Sequence, residues 1–227
     1  MKKFFLGAMM LLTAVSMNAQ QAQPAADASD KQQSEIADLI QTAGRLVQYG
    51  YATKQALPLI QAVQIYQNLG VRDEAEAKQK TEEGQTVTGA QPEPKNNPVT
   101  TDVKKLIEDA KKFADGDKNL LALIDGLGQV RGDVTGPNRH VDTVLAGRTD
   151  VYNITFRGGE QAIVMVSGDG DTDLDLYVYD ENGNLIDSDT DNTDQCVCTF
   201  TPRWTGRFTI RIKNLGRVYN RYTLYTN

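Results

Sequence analysis

Residues 168–184 read GDGDTDLDLYVYDENGN and place six acidic residues around one short apolar run. Leu174, Leu176 and Val178 alternate with other residues, which is the period of a β-strand with one buried face. The DENG sequence at 180–183 is typical of a hairpin turn. The stretch therefore predicts a strand with an acidic loop before it and a turn after it.

The same two-residue period recurs through the C-terminal part of the chain, residues 133–227, between clusters of Gly, Asn and Asp. Together with 174–178, we predict about eight short strands, which is typical of an antiparallel sandwich. The other runs lie near 141–145, 151–156, 162–166, 184–188, 196–201, 208–212 and 222–224.

Residues 34–130 have the apolar spacing of helices instead. The first predicted helix runs from a cap at Ser34 to a stop at Gly50. The second starts at Thr53 and ends near Leu69, and Pro58 fits best in its first turn.

Two further helices are predicted, the first capped by Thr101 and ended by Gly116. Between the two helix pairs, residues 71–100 are rich in charge, Gly and Pro. They predict a long flexible loop. Four helical segments are enough for a small bundle.

The N-terminal residues 1–19 have the basic start, apolar middle and small residues of a secretory signal peptide, without the cysteine of a lipoprotein. A polar, disordered tether is predicted at 20–33. No later stretch is apolar enough for a transmembrane helix. We therefore expect a periplasmic or extracellular protein. Its net charge of −6 argues against nucleic-acid binding, which needs a basic surface.

Three motifs in order resemble the bacterial pre-peptidase C-terminal (PPC) domain family over about residues 140–227. They are the Asp-Leu-Asp-Leu strand at 173–176, the turn at 182–184 and the Thr-Gly-Arg-Phe-Thr-Ile sequence at 205–210. The resemblance implies a jelly-roll-like β-sandwich that accompanies secreted enzymes without being catalytic. Some relatives bind calcium and an extracellular polymer. The expected fold class is α+β, a small α-helical bundle followed by an antiparallel jelly-roll-like β-sandwich.

The aspartates suggest a calcium site. A hairpin turn at 180–183 would bring the acidic loop 187–194 beside the loop at 169–173, and oxygen ligands from two loops suit Ca²⁺. The alternative is that these carboxylates form Asx turns and cap loop amides. The candidate ligands are Asp169, Asp171, Asp173, Asp189, Asp191 and Asp194.

Cys196 and Cys198 point to the same face of a predicted strand. Their Cα atoms would lie ~6.6–6.8 Å apart, at the upper limit for a disulfide. We favour two buried thiols, with a local disulfide in an oxidising compartment as the alternative.

No catalytic residues are predicted. The one histidine, His140, is expected in an exposed loop, and neither a nucleophile–base pair nor a zinc signature accompanies it. Trp204 could stack on a sugar or cover the end of the sandwich. An aromatic ligand patch is a further possibility, formed by Tyr177, Tyr179, Tyr219, Tyr222 and Tyr225.

These observations favour a noncatalytic binding or accessory protein. Its expected partners are a polysaccharide or another envelope or secreted protein, with no cofactor except calcium. The alternatives are a hydrolase or hydrolase subunit with its site at the acidic loops, and a purely structural envelope protein.

Overall fold

The computed structural model of the protein describes residues 26–73, 78–84, 87–90, 100–127 and 136–227. The predicted signal peptide at 1–19 lies outside these residues. Within the described ranges, no helix is both long enough and apolar enough to cross a membrane.

Four helices lie among the described residues, as predicted, and two short strands separate the second helix from the third. They are α1 (Ala26–Thr53), α2 (Ala56–Asn68), α3 (Val103–Phe113) and α4 (Lys118–Leu127).

The first helix is longer than its apolar stripe predicted. Helix α1 begins at Ala26, so the second half of the predicted tether is helical. Ala, Lys and Gln favour helix even where no apolar stripe marks it. At its other end α1 continues past Gly50, and this glycine serves packing instead of termination. A Cβ there would lie 2.6 Å from Leu59 Cδ2 in α2.

None of the three predicted helix caps is the observed one, and Ser34 lies inside α1. Helix α2 follows Gln55, because Thr53 still belongs to α1. Pro58 lies in the first turn of α2, as predicted. Helix α3 is capped by Asp102, whose Oδ1 accepts from the amides of the second and third residues of the helix. Thr101 instead bonds Thr223 of the sandwich.

The described residues contain ten strands, and these include all eight that the sequence predicted. They are β1 (Arg72–Asp73), β2 (Lys80–Glu82), β3 (Asn138–Val144), β4 (Thr149–Phe156), β5 (Ala162–Ser167), β6 (Leu174–Tyr179), β7 (Leu185–Asp189), β8 (Gln195–Phe200), β9 (Gly206–Asn214) and β10 (Asn220–Thr226).

The strands form two five-stranded sheets. The first sheet has the order β1-β3-β10-β5-β8 and the second β2-β4-β9-β6-β7. All pairings are antiparallel except the two-residue contact between β1 and β3. From β3 onward the chain alternates between the sheets, apart from the β6–β7 hairpin. This is jelly-roll topology, and it confirms the predicted α+β fold class.

The predicted loop at 71–100 is partly structured. It supplies β1 to the first sheet and β2 to the second, both on the edge that β3 and β4 form. Each of these short strands therefore extends its sheet by one strand at this edge. Strands of two and three polar residues are too short to produce a recognisable period, which is why the sequence did not predict them.

Two apolar cores meet at the first sheet. Val164 and Val166 of β5 belong to the core between the sheets, whereas Ile163 and Met165 belong to the core with the helices. Tyr225 of β10 stacks on Tyr66 of α2, with ring centroids 6.2 Å apart. The helices therefore cover the outer face of the first sheet, and the molecule has three layers.

Helix α1 approaches the first sheet closely at Gly44. A Cβ on this glycine would lie 2.7 Å from both Gln195 Oε1 and Ser167 Oγ. Both of these side chains are buried. The absence of a side chain at Gly44 thus allows α1 to lie against β5 and β8.

We predict that Gly44→Ala destabilises the protein. Alanine favours a helix over glycine by about 1 kcal/mol, but forcing a methyl group into this contact costs ~1–3 kcal/mol. The matched control is Gly126→Ala in α4, where a Cβ meets nothing within 4 Å. Urea denaturation should give a lower midpoint for Gly44→Ala and an unchanged or higher one for Gly126→Ala. Equal midpoints would contradict the close approach.

Candidate functional site

The two acidic loops lie side by side at one end of the sandwich, as predicted. The amide of Gly168 donates to the carbonyl of Asp194 at 2.8 Å, and the amide of Leu174 donates to the carbonyl of Thr193 at 3.0 Å. These backbone bonds fix residues 168–174 against residues 193–194.

Asp194 is the most heavily bonded of the six candidate ligands. Its buried carboxylate accepts from the amide of Gly170 at 2.5 Å and from Asn220 Nδ2 at 3.2 Å. Gln48 Nε2 of α1 donates to its other oxygen at 3.1 Å. This carboxylate therefore joins both acidic loops, β10 and the helical layer.

Three more of the six aspartates also accept from backbone amides. Asp169 accepts from Arg221 at 2.9 Å and from Asp171 at 3.2 Å. Asp189 accepts from Val197 at 2.8 Å, and Asp191 accepts from Thr193 at 2.8 Å. The loops are thus organised by side-chain capping of backbone amides, which was the alternative to calcium.

The structure does not place the six aspartates around one point, and their binding of one ion stays a prediction. Among the described residues, no three Asp, Glu, His or Cys side chains are arranged to hold a metal ion. Capping bonds orient Asp169, Asp189, Asp191 and Asp194 toward different amides. Asp173 remains with one buried oxygen that has no hydrogen-bond partner. Burial, and then the charges of Asp175, Asp191 and Asp194, raise its pKa.

Calcium binding stays a prediction of the sequence, and this arrangement predicts its outcome. Since the carboxylates do not converge, we expect 5 mM Ca²⁺ to shift the melting temperature by less than about 1 °C relative to EDTA, because a ligand stabilises only if it binds the folded state. Differential scanning calorimetry measures this. A clear rise in calcium that is lost in Asp173→Asn would overturn the expectation.

The surroundings of Asp169 disfavour the charged form of its carboxyl group. Burial is the largest cause that raises its pKa, the two amide bonds offset this in part, and the charges of Asp171 and Asp194 add to it, so that the pKa is about 6. The unfolded chain has an ordinary pKa of ~3.9 at this position. Because the folded protein binds this proton more tightly, the contribution of Asp169 to stability falls as the pH rises through this interval.

We predict that stability falls between pH 4 and pH 6 because of Asp169, by roughly 2 kcal/mol. Chemical denaturation at several pH values should give a smaller slope in this window for Asp169→Asn. Asp180→Asn is the matched control. Hydrogen bonds from Asn184 lower the pKa of Asp180, so its titration affects stability only at lower pH. An unchanged slope in Asp169→Asn would contradict the assignment.

Both cysteines are buried free thiols in this structure, and the local disulfide in an oxidising compartment stays a prediction. The register pairs Cys196 with Val166 and Cys198 with Val164, and both thiols belong to the core between the sheets. Cys196 Sγ donates to the carbonyl of Leu174 at 3.1 Å. Burial raises the pKa of both thiols, and the acidic loops add to this effect.

The predicted aromatic patch does not form as a unit. Tyr222 and Tyr225 are fully buried, because one faces the core between the sheets and the other faces the helices. Tyr177 and Tyr179 lie on the opposite face of the molecule, on the outer face of the second sheet. Trp204 does not cover the sandwich, since it is 55% exposed. Its Nε1 donates to Glu181 at 3.0 Å.

The outer face of the second sheet contains a groove of about 830 Å³, here called the tyrosine groove. It is lined by Glu82, Glu83, Gly84, Val87, Gly147, Thr149, Tyr177, Tyr179, Arg211, Lys213, Asn214 and Leu215.

Strand register determines the floor of the tyrosine groove. Tyr177 pairs with Arg211, and Tyr179 pairs with Thr209. The rings of Tyr177 and Tyr179 are inclined by 26° with centroids 6.4 Å apart. The hydroxyl of Tyr177 donates to Asp175 at 2.9 Å. Two nearly parallel rings are thus held beside a guanidinium group.

The wall of the groove comes from the segment that the sequence predicted to be a flexible loop. Glu82 of β2 bonds Arg211 and also pairs with Lys80 at 2.8 Å. Glu83 pairs with Arg148. Charges from β2 therefore orient the basic side chains at the groove. No local pattern in the sequence indicates these ion pairs, because β2 reaches the second sheet only through the tertiary fold.

A second polar cluster, here called the Lys78 cluster, lies at the edge of the sandwich where β3 and β4 are found. Lys78 Nζ lies 3.0 Å from Asp142 Oδ1 and 3.2 Å from Asp150 Oδ2. Asp150 is 0% exposed, and its carboxylate also accepts from Tyr222 and Thr81. The other members of the Lys78 cluster are Thr81, Tyr152 and Tyr222.

His140 lies beside the Lys78 cluster and not in an exposed loop. It belongs to β3 and is partly buried. Its Nε2 lies 3.5 Å from Asp142 Oδ2, and its ring contacts the edge of Tyr152. The expectation of a loop histidine was wrong because β3 begins at Asn138, three residues earlier than the sequence predicted.

Three solved structures are similar to part of this chain. The pre-peptidase C-terminal domain of a Bacillus anthracis collagenase has 13% identity and a TM-score of 0.31, over 40% of this chain and 89% of that one. Aeromonas hydrophila PliG, a periplasmic inhibitor of g-type lysozyme, has 13% identity and a TM-score of 0.33, over 40% and 84%. A Clostridium thermocellum xylanase 10B with CBM22-1 and GH10 modules has 12% identity and a TM-score of 0.22, over 39% and 24%.

No family model matches the chain, and no curated protein matches it. At these values the similarity carries no information about a ligand or an activity.

Proposed function

We propose that the protein is a noncatalytic binding or accessory protein of the periplasm or cell exterior, and that it binds polysaccharide in the tyrosine groove. The observation that carries this proposal is the asymmetry of the two sheets. The helices bury the outer face of the first sheet, whereas the outer face of the second sheet forms the groove.

The side chains of the tyrosine groove suit a sugar. The apolar C–H face of a pyranose packs on an aromatic ring, and its hydroxyl groups bond to charged and amide side chains. The groove offers both, with Tyr177 and Tyr179 on its floor and Glu82, Arg211 and Lys213 around them. The charges are of both signs, which suits a neutral glycan better than a strongly ionic one.

The chemistry of the acidic loops supports a noncatalytic role. Asp169, Asp189, Asp191 and Asp194 all accept hydrogen bonds from the protein's own amides. A glycosidase needs two carboxyl groups facing each other across a sugar, and carboxylates committed to loop capping are poorly placed for that task. The location outside the cytoplasm rests on the signal peptide predicted at 1–19.

We predict that the double variant Tyr177→Ala/Tyr179→Ala loses binding to the polysaccharide that the wild type retains. Pull-down on insoluble cellulose, xylan, chitin and peptidoglycan identifies that polysaccharide, and titration of soluble fragments then gives the affinity. Loss of two stacking contacts of ~1 kcal/mol each should weaken binding at least about tenfold.

The matched control is Tyr49→Ala, which removes an exposed tyrosine on the opposite side of the molecule, in α1. It should bind like the wild type. Equal binding by the double variant would exclude the groove as the site. Failure of the wild type to bind any of the four polymers would overturn the choice of polysaccharide, and capture of one envelope protein through the same tyrosines would identify a protein ligand instead.

A further inference from the structure

The Lys78 cluster places an amine against two carboxyl groups at the edge of the sandwich. Lys78 Nζ is within 3.2 Å of an oxygen of Asp142 and of Asp150. These are hydrogen-bond distances from the amine to carboxylate oxygens, so the amine is held beside both carboxyl groups, which is the proximity that a reaction between them requires. Neither the binding function proposed above nor the packing of the core requires a lysine here.

We propose that Lys78 and Asp150 are joined by an intramolecular isopeptide bond, with Asp142 as the group that carries the proton. The bond would join the chain just before β2 to β4, and so attach β2 covalently to its neighbouring strand. This inference is independent of the ligand that occupies the tyrosine groove.

The condensation needs no reagent other than the three side chains. One proton of the Lys78 ammonium passes to the Asp150 carboxylate, and the neutral amine attacks Cγ of the resulting carboxylic acid. The second proton leaves Nζ for Asp142, which returns it to the departing oxygen. The Nζ–Cγ bond forms, one Cγ–O bond breaks, and one molecule of water leaves.

The surroundings of Asp150 favour it as the electrophile. Its carboxylate is fully buried, and Thr81 Oγ1 and the Tyr222 hydroxyl donate to it at 2.6 Å and 2.9 Å. Such donors stabilise the negative charge that develops on oxygen during attack. Asp142 is a quarter exposed, so it can keep its charge and exchange protons.

The pairing of charges holds Lys78 at the two carboxyl groups. Burial lowers the pKa of Lys78, but hydrogen bonds and charge from Asp142 and Asp150 more than offset this and raise it overall. The ion pair therefore keeps the ammonium group beside Asp150, which is the arrangement from which the first proton transfer starts.

The decisive experiment is mass spectrometry of the full-length wild-type chain after denaturation. We expect the intact mass to fall short of the sequence mass by one water molecule, after allowance for any cleaved signal peptide. Tryptic mapping should recover the Lys78 and Asp150 peptides as one cross-linked species. Recovery of the two peptides separately at full mass would overturn the proposal.

Three variants test the assigned roles. Lys78→Arg keeps the charge but has no nucleophilic amine, so it should show the full mass and migrate more slowly than the cross-linked wild type on a denaturing gel. Asp142→Asn should also show the full mass. Asp150→Asn should still cross-link with loss of ammonia instead of water, because an amide can be the electrophile. A cross-link from Lys78 to Asp142 would overturn the assignment of Asp150.

Discussion

The burial of β5 on both of its faces is the constraint on which the rest of the structure depends. One set of its side chains fills the space between the sheets, and Ile163 and Met165 lie under the helices. An apolar outer face on the first sheet requires a cover, and α1 provides it because Gly44 lets the helix approach closely. With that face covered by helices, the described part of the chain leaves the outer face of the second sheet open, where the tyrosine groove lies.

The acidic loops lie where the helices contact the sandwich. Asp194 accepts from Gln48 of α1 while it also holds Gly170 and Asn220 in place. The charge concentrated here weakens the fold at neutral pH, as the raised pKa of Asp169 indicates. A cluster with the composition of a metal site is thus mainly a set of caps for amides that the sheets do not satisfy.

The residues in and beside β2 make two sets of contacts that their composition does not predict. One places Lys78 against Asp142 and Asp150 at the edge of the sandwich, and the other places Glu82 beside Arg211 at the tyrosine groove. Both depend on contacts between residues more than sixty positions apart in the chain. The same short stretch of chain therefore contributes both to the edge of the sandwich and to the wall of the groove.

The sequence by itself determined the four helices, the eight main strands, the β6–β7 turn and the pairing of the two acidic loops, because apolar period and turn residues are local properties. It also determined that Cys196 and Cys198 share the core face. Only the tertiary structure decided which carboxylates accept amides, which tyrosines are exposed and where residues 72–82 lie. Those outcomes depend on the register and covering of the sheets, which bring distant residues together, and local sequence patterns carry no record of such contacts.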